Sequence, residues 1–514
     1  MNGAESLVHT LLEGGVDVCF ANPGTSEMHF VAALDRIEGM RCVLCLFEGV
    51  VSGAADGYAR MTGRPAATLL HLGPGLGNAL ANLHNAKKAR SPIVNVVGEH
   101  ATYHIQYNTP LTSDIAGIAR PVSGWVDTAS TPESVGPKGA EAIAAARTAP
   151  GQVATLILPG DAAWTEGGVV GKVPTIPERD PIDATQVDQA AQALRGAGKS
   201  LLLLGAGALF EAPLELAGRI AAATSCDVMA EGMNTRLQRG AGRLAVNRIP
   251  YPVDQGLETL APYQRIVLIG AGVPAVFFAY PNKPSLLAPE HCQTLALARP
   301  DQDCQAALQA LADAVGARPG TARLQQPERP QRPSGPMTLE AIASAIGALL
   351  PENAVVVDES ITTGRNFYPF TCGAPPHDWL QNRGGSIGIG LPMATGAAIA
   401  CPDRKVICLE SDGSAMYNPQ ALWTQAREGL NVTTLVFANR AYNILRGELR
   451  NVGAQNPGPR ANDMLSLDRP TLDFVALAKS MGIEAVRVDN ADDLYTAFER
   501  GLSIQGPAVI EVVI

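Results

Sequence analysis

Short apolar runs alternate along this chain with Ala-rich segments of helical period. Val16–Ala21, Arg41–Phe47, Ala66–His71, Ile93–Gly98 and Val153–Leu158 read as strands. Strands separated by helices imply parallel βαβ units and an open sheet covered on both faces. The alternation resumes at Ser200–Gly205, Cys226–Ala230 and Arg265–Gly270, then at Ala354–Asp358, Val406–Glu410, Thr433–Ala438 and Val509–Val513. Two stretches break it. One follows Leu158-Pro159-Gly160-Asp161 and runs to about Pro181; the other, Arg318–Pro336, is too rich in proline for a helix or sheet interior. The expected architecture is α/β: three open parallel-sheet domains at 1–165, 182–315 and 337–514, joined by linkers at 166–181 and 316–336.

Length agrees with this division, since 514 residues exceed what one core organises and about 150 per domain gives three. Lys and Arg total 39 against 49 Asp and Glu, a formal charge of −10, and no cluster of five or more basic residues occurs. Nucleic acid is therefore not an expected partner. The N-terminus lacks a basic region, its apolar stretch is broken by His9, Glu13 and Asp17, and no uncharged apolar run reaches the ~18 residues of a membrane span. Nine cysteines, an odd number spread over the chain, suit a reducing compartment, so a cytoplasmic location is expected. Cys42 and Cys45 form a CxxC inside a strand-like run. On a strand such positions face opposite ways, which predicts buried cysteines rather than a metal or redox pair.

The chemistry concentrates where strands end. Lys405–Glu410 leads into Ser411-Asp412-Gly413-Ser414, and Thr433–Ala438 leads into Asn439-Arg440-Ala441-Tyr442. Ligands of open α/β sheets bind at such ends. Asp412, Asn439 and the Ala441 carbonyl could surround a hard cation of the kind that takes oxygen ligands and phosphate. Taken alone, Asp-Gly-Ser is equally a turn or an N-cap.

Together with two further stretches, the Asp-Gly-Ser…Asn pattern resembles the thiamin-diphosphate-dependent enzymes, in their decarboxylase and acetolactate-synthase branch. Phe47-Glu48-Gly49 through Ala59-Arg60 is similar to the motif containing that superfamily's activating glutamate, and Gly384-Gly385-Ser386-Ile387-Gly388-Ile389-Gly390 to its cofactor-bending loop. Asn22-Pro23-Gly24-Thr25 and His71-Leu72-Gly73-Pro74-Gly75 also look like family loops, the first especially like those of benzoylformate decarboxylases.

The resemblance implies thiamin diphosphate and Mg²⁺ as cofactors. Glu48 would bond the pyrimidine N1′, Ile387 would wedge the bent cofactor, and the Gly385 carbonyl would accept from the 4′-amino group. Asp412, Asn439 and Ala441 would carry the metal. Ser414 with Thr362 or Thr363 would reach phosphate oxygens, and Pro23, Gly413 and Tyr442 would complete the cofactor site. His71 is a candidate acid or base, although a strand-end histidine satisfied by backbone is an equal alternative. His104 and Gln106 are weaker candidates.

The implied reaction is decarboxylation of a 2-oxo acid with ligation of the acyl unit to a carbonyl acceptor. A benzoylformate-type decarboxylase releasing aldehyde, and a catalytically silent partner subunit, are the alternatives. Phe277-Phe278 stands near where the benzoylformate type places a proton-donating histidine, which favours ligation. FAD, bound in the central domain of acetolactate synthases, is not expected: Gly205–Phe210 is no dinucleotide fingerprint, and Glu231–Leu237 lacks the flavin glycine motif. A homodimer or homotetramer is expected, because in the family the two ends of the cofactor are held by different subunits. The Ala/Gly-rich Gly49–Ala59 segment is a candidate for close helix packing at that interface, with tight packing inside its own domain as the alternative.

Overall fold

The computed structural model describes residues 1–454 and 456–514. Three sheets organise it. In the first, six parallel strands lie in the order Arg41–Leu44, Val18–Asn22, Ala66–Leu70, Ile93–Glu99, Val153–Pro159 and Trp125–Thr128. The second, also parallel, runs Asn247–Arg248, Asp227–Ala230, Lys199–Leu204, Tyr263–Ile269, Gln293–Ala298. The third has seven strands: Glu484–Val488, Ala508–Val513, Val432–Ala438, Val406–Ser411, Val355–Glu359, His377–Gln381 and Arg236–Arg239. No helix or strand lies between Trp164 and Ala184, or between Val315 and Leu339.

The last strand of the third sheet departs from expectation. Arg236–Arg239 comes from the middle of the chain and pairs antiparallel with His377–Gln381, so this sheet is not wholly parallel. Its sequence, Arg-Leu-Gln-Arg, gives no apolar run to mark it. His377–Gln381 (His-Asp-Trp-Leu-Gln) was hidden for the same reason, although all five residues are buried. Trp125–Thr128 and Glu484–Val488 are sheet edges, which need fewer apolar side chains. The cysteine expectation holds for Cys45, which is buried, but Cys42 is exposed.

The Glu48–Thr62 helix buries every residue from Glu48 to Met61. It does so within its own chain, against the Gly390–Ala400 helix of the third part as well as the Leu72–Ala89 helix of its own domain. The close packing that was a candidate for a subunit interface is thus made inside the chain. The Glu48–Thr62 and Gly390–Ala400 helices touch backbone to backbone. A Cβ on Gly396 would lie 1.8 Å from the Ala54 carbonyl oxygen, and one on Gly57 would lie 2.2 Å from that of Met393. Small residues alone permit this approach, and it brings the first and third sheets into one core.

A polar clamp sits beside this contact. Arg60 and Asp56 pair at 2.6 Å with both side chains fully buried. Arg60 also donates to the carbonyl of Gln381 at 2.5 Å, and Arg236 donates to that of Met61 at 3.0 Å. All three parts of the chain meet here. A buried ion pair with its remaining hydrogens satisfied adds little net stability, but losing one partner strands a charge, at about 3–5 kcal/mol.

Two expectations follow for stability. Gly396→Ala should lower the unfolding free energy by about 2–3 kcal/mol in denaturant titration. Gly207→Ala, with nothing within 4 Å of its added methyl, should change it by less than about 0.5 kcal/mol. His377 is buried and donates through Nδ1 to the Pro375 carbonyl at 2.7 Å, leaving Nε2 without a partner. Burial, then the charge of Arg239, pushes its pKa from 6.5 to about 3. The unfolded chain therefore binds the extra proton first. The contribution is whole above pH 6.5 and is lost as pH falls from there toward 3. His377→Gln should remove about 2 kcal/mol of the stability difference between pH 7 and pH 5.

Candidate functional site

The Val406–Ser411 strand ends directly in a single helical turn that begins at Asp412. Asp412 is buried. Its Oδ1 accepts from the Gly413 amide at 2.8 Å and its Oδ2 from the Arg440 amide at 2.6 Å. Burial pushes its carboxyl above the usual range, and these amides oppose the shift. Asn439 follows the neighbouring strand and takes the Ala441 amide on Oδ1 at 3.0 Å. Arg440 sits between them at φ +57°, a left-handed conformation unusual outside glycine. The two strand ends lie side by side because Val406–Ser411 pairs in parallel with Val432–Ala438. Tyr442 closes the far side, with its ring 2.6 Å from where a Gly413 Cβ would stand.

Asn439, Thr362 and Thr363 line a cavity of about 770 Å³ that also includes Arg365, Asn443 and Arg450. The turn beside it is strained, with Ile361 at φ +50°. Ser414 behaves differently: its hydroxyl donates to Glu410, and it does not line that cavity. Glu410 is fully buried, and burial, together with nearby Glu359, pushes its carboxyl up.

Glu48 opens its helix from a buried position, after Phe47 in extended conformation. Its Oε2 accepts from Asn78 at 3.0 Å, and a Cβ on Gly75 would lie 3.2 Å from its Oε1. Asn82 donates to the Gly49 carbonyl at 2.8 Å. Asn78, Asn82 and Asn85 recur at i, i+4 and i+7 on one face of the Leu72–Ala89 helix, a polar stripe that the sequence already displayed.

His71 ends the turn before that helix, and Leu72 beside it is at φ +48°. Its Nδ1 lies 2.8 Å from Glu27 Oε2, so the partner is a carboxylate and not backbone. Glu27 is buried and its pKa is raised by that burial, against the pull of His71; its other oxygen has no partner. The Pro23-Gly24 turn packs on this pair, since a Cβ on Gly24 would lie 2.1 Å from His71 Nδ1. His104 stands 5.6 Å from His100, ring to ring, whereas Gln106 is exposed and bonds back to the Tyr103 carbonyl.

The Asn382–Gly390 loop carries Gly385, at φ +81°, and a half-buried Ile387. Ile387 belongs to none of the buried core clusters. Asn85 grips the loop from the first sheet's side, accepting from the Ser386 amide at 3.1 Å and donating to its carbonyl at 2.8 Å. Arg383 ties it to the middle of the chain through Glu231 at 2.9 Å. The Phe277 ring comes within 2.5 Å of where a Gly385 Cβ would stand, with Tyr251 5.6 Å and Phe278 4.7 Å away.

The structure thus joins Asp412, Gly413, Asn439, Ala441 and Tyr442 at one centre, with Thr362 on the same cavity as Asn439. It sets Gly385 and Ile387 on one neighbouring loop and pairs His71 with Glu27. The cavity holding Asn439 does not include Glu48. Sequence reasoning missed Glu27, Asn78, Asn85, Glu231 and Glu359.

Comparison with known proteins gives the family. The pattern of the thiamine pyrophosphate enzyme N-terminal TPP binding domain matches residues 1–118, and that of the C-terminal TPP binding domain matches residues 363–512. A Mycobacterium tuberculosis protein named "Putative acetolactate synthase large subunit IlvX" is 51% identical over 100% of this chain and 99% of its own length. The chain belongs to the thiamine pyrophosphate enzyme family. Benzoylformate decarboxylase of Pseudomonas aeruginosa is 29% identical, over 97% of this chain and 96% of its own. In fold, the chain is similar to the Rhodococcus jostii RHA1 thiamine diphosphate-dependent 4-hydroxybenzoylformate decarboxylase, with TM-score 0.86, 24% identity and coverage of 99% and 98% of the two chains. As a member of this family the chain is a thiamin-diphosphate-dependent enzyme, with two TPP-binding segments flanking a middle segment that neither pattern covers. Among the described residues no helix is long and apolar enough to cross a membrane.

Proposed function

We propose that this enzyme uses thiamin diphosphate and Mg²⁺ to decarboxylate a 2-oxo acid and ligate the acyl unit to a carbonyl acceptor. The observation that carries the reading is the Asp412–Asn439 centre, where a buried carboxyl, a carboxamide and the turn through Ala441 supply hard oxygen donors beside a polar cavity. That donor set fits a divalent cation carrying a diphosphate. Asp412, Asn439 and Ala441 would hold the metal, with Gly413, Thr362 and Tyr442 around the phosphates. Ser414 would contribute a lone pair only, its proton being committed to Glu410.

The bound cofactor supplies a nucleophilic thiazolium carbon and a sink for the electron pair left by CO₂. The protein's part is orientation and proton placement. Glu48 would hold the proton at the pyrimidine N1′, in a nearly dry setting fixed by Asn78. Gly385 and Ile387 would fix the amino end, and Pro23 would flank the pyrimidine. Phe277 favours ligation over aldehyde release, because the ring that the middle segment brings to the Gly385 loop carries no proton to give. The His71–Glu27 pair favours a second reading, a benzoylformate-type decarboxylase, in which His71 moves the proton that releases aldehyde.

This reading includes no flavin. In the crevice of about 570 Å³ above the middle sheet, Glu231 and Arg383 are spent on each other, and Arg383 also donates to the Met233 carbonyl at 2.5 Å. It does include a second subunit. Glu48 is absent from the Asn439 cavity of its own chain, while Leu46, Met416 and Tyr417, beside the two ends of the site, are large and exposed. An isologous dimer would cover them and complete two equal sites, and a tetramer would pair such dimers.

Asp412→Ala and Asn439→Ala should each weaken thiamin diphosphate binding at least about tenfold by calorimetry. Glu48→Gln should bind the cofactor within a few-fold of wild type yet exchange its C2 proton far more slowly by NMR. Mixing the inactive Glu48→Gln and Asp412→Ala proteins under subunit exchange should restore part of the activity. Incubation with pyruvate, benzoylformate and longer 2-oxo acids separates the two readings: hydroxyketone products support ligation, and aldehyde alone supports the second. A wild-type protein that binds no thiamin diphosphate overturns both.

A further inference from the structure

We infer that Glu359 is a positioning residue, setting the height of Ile387 by holding the main-chain amides on the C-terminal side of the Asn382–Gly390 loop. Glu359 ends the Val355–Glu359 strand, is 1% exposed, and is not among the residues assigned above to cofactor or metal. Its Oε2 accepts from the Gly388 amide at 3.1 Å and from the Gly390 amide at 2.7 Å. Its Oε1 accepts from Asn382 Nδ2 at 2.9 Å. Asn382 extends the grip to the near side of Ile387. The same Nδ2 donates to the Ser386 carbonyl at 2.7 Å, and Oδ1 accepts from the Gly385 amide at 2.8 Å. One carboxylate and one carboxamide therefore hold main-chain groups at 385, 386, 388 and 390, leaving Ile387 as the suspended residue between them.

The hydrogen-bond arithmetic favours a carboxylate. Burial pushes the Glu359 carboxyl up to about 7, the bonds from Gly390, Asn382 and Gly388 pull it down, and neighbouring Glu410 is raised further still. All three groups aimed at Glu359 are N–H donors, and an ionised carboxyl is acceptor-only. A glutamine keeps one oxygen for the Gly388 and Gly390 amides and must turn its NH₂ toward Asn382 Nδ2. Flipping Asn382 to receive it would aim the Asn382 NH₂ at the Gly385 amide instead. Every amide arrangement leaves two donors facing each other in a buried site. Aspartate is one methylene too short to reach both glycines. The Gly390–Ala400 helix adds its N-terminal dipole to the preference for negative charge. Solvent cannot substitute, because the carboxyl is sealed from it.

The role at Ile387 rests on the thiamin-diphosphate reading above, so the test has one arm that needs no cofactor. In the full-length, cofactor-free protein, Glu359→Gln should speed amide exchange of the 384–390 segment by about tenfold or more, with the 48–62 helix unchanged. In the loaded protein, Kd for thiamin diphosphate should stay within about threefold of wild type, because Asp412 and Asn439 are intact. C2 proton exchange of the bound cofactor should slow by about tenfold or more, and kcat should fall with KM little changed. Asn382→Ala, which cuts the same network from its other side, should reproduce the pattern and decides the matter if Glu359→Gln does not fold. Wild-type loop protection in the folded variant overturns the inference. So does loop loosening accompanied by normal C2 exchange at saturating cofactor, which would make Glu359 a purely structural residue. Failure of the wild-type protein to bind thiamin diphosphate overturns the functional reading instead, and the exchange arm alone still reports on the loop.

Discussion

The amides of Gly388, just before a helix, and of Gly390, its first residue, have no acceptor within that helix, and the buried carboxyl of Glu359 takes both. The rest of the site depends on that capture. A loop without regular structure is held between three parts of the chain, by Asn85 from the first, by Arg383 reaching Glu231 in the second, and by Glu359, Asn382 and Asn418 in the third. Each bond is modest in net worth, yet each is costly to leave unmade in a buried setting. The loop is held at many points, so departure from its irregular shape would break several buried hydrogen bonds at once. Rigid support of this kind holds a short apolar side chain such as Ile387 half-buried, although the hydrophobic effect alone would draw it into the core.

Much of this was legible in the amino-acid sequence, and the reasons differ by feature. Strands buried on both faces announce themselves as apolar runs, so the interior strands stood out at Ile93–Glu99, Val153–Pro159 and Val432–Ala438. His377–Gln381 did not, because its polar residues are matched by partners far along the chain, as Asp378 is by Arg236 and Arg404. Asp412 and Asn439 were visible because ligands of α/β sheets gather at strand ends. Glu27 was not, because its meaning comes from His71, forty-four residues away and one strand over. The candidate ligand-binding residues carry a local signature; the residues that hold them in place are defined by tertiary distance.

Backbone strain shows the same division. Leu72, Ile361 and Arg440 adopt positive φ although none is glycine, and each lies beside a candidate residue: His71, Thr362 and Asn439. Conformations of this kind persist only where the surroundings enforce them. Here each follows the end of a parallel strand, where the chain must turn sharply to leave the sheet and present a polar side chain at its rim.

The antiparallel strand Arg236–Arg239 has a consequence for how such a chain is made. It emerges from the ribosome well before its partner, since Arg236 and Asp378, which bond across the seam, are 142 residues apart. Until His377–Gln381 is synthesised this segment is a docking strand without a dock, and afterwards it caps what would otherwise be an open, hydrogen-bonding margin of the third sheet. The middle of the chain is thus a built-in guard against edge-to-edge aggregation of the part translated last, and excising it as a self-contained module would uncover that margin.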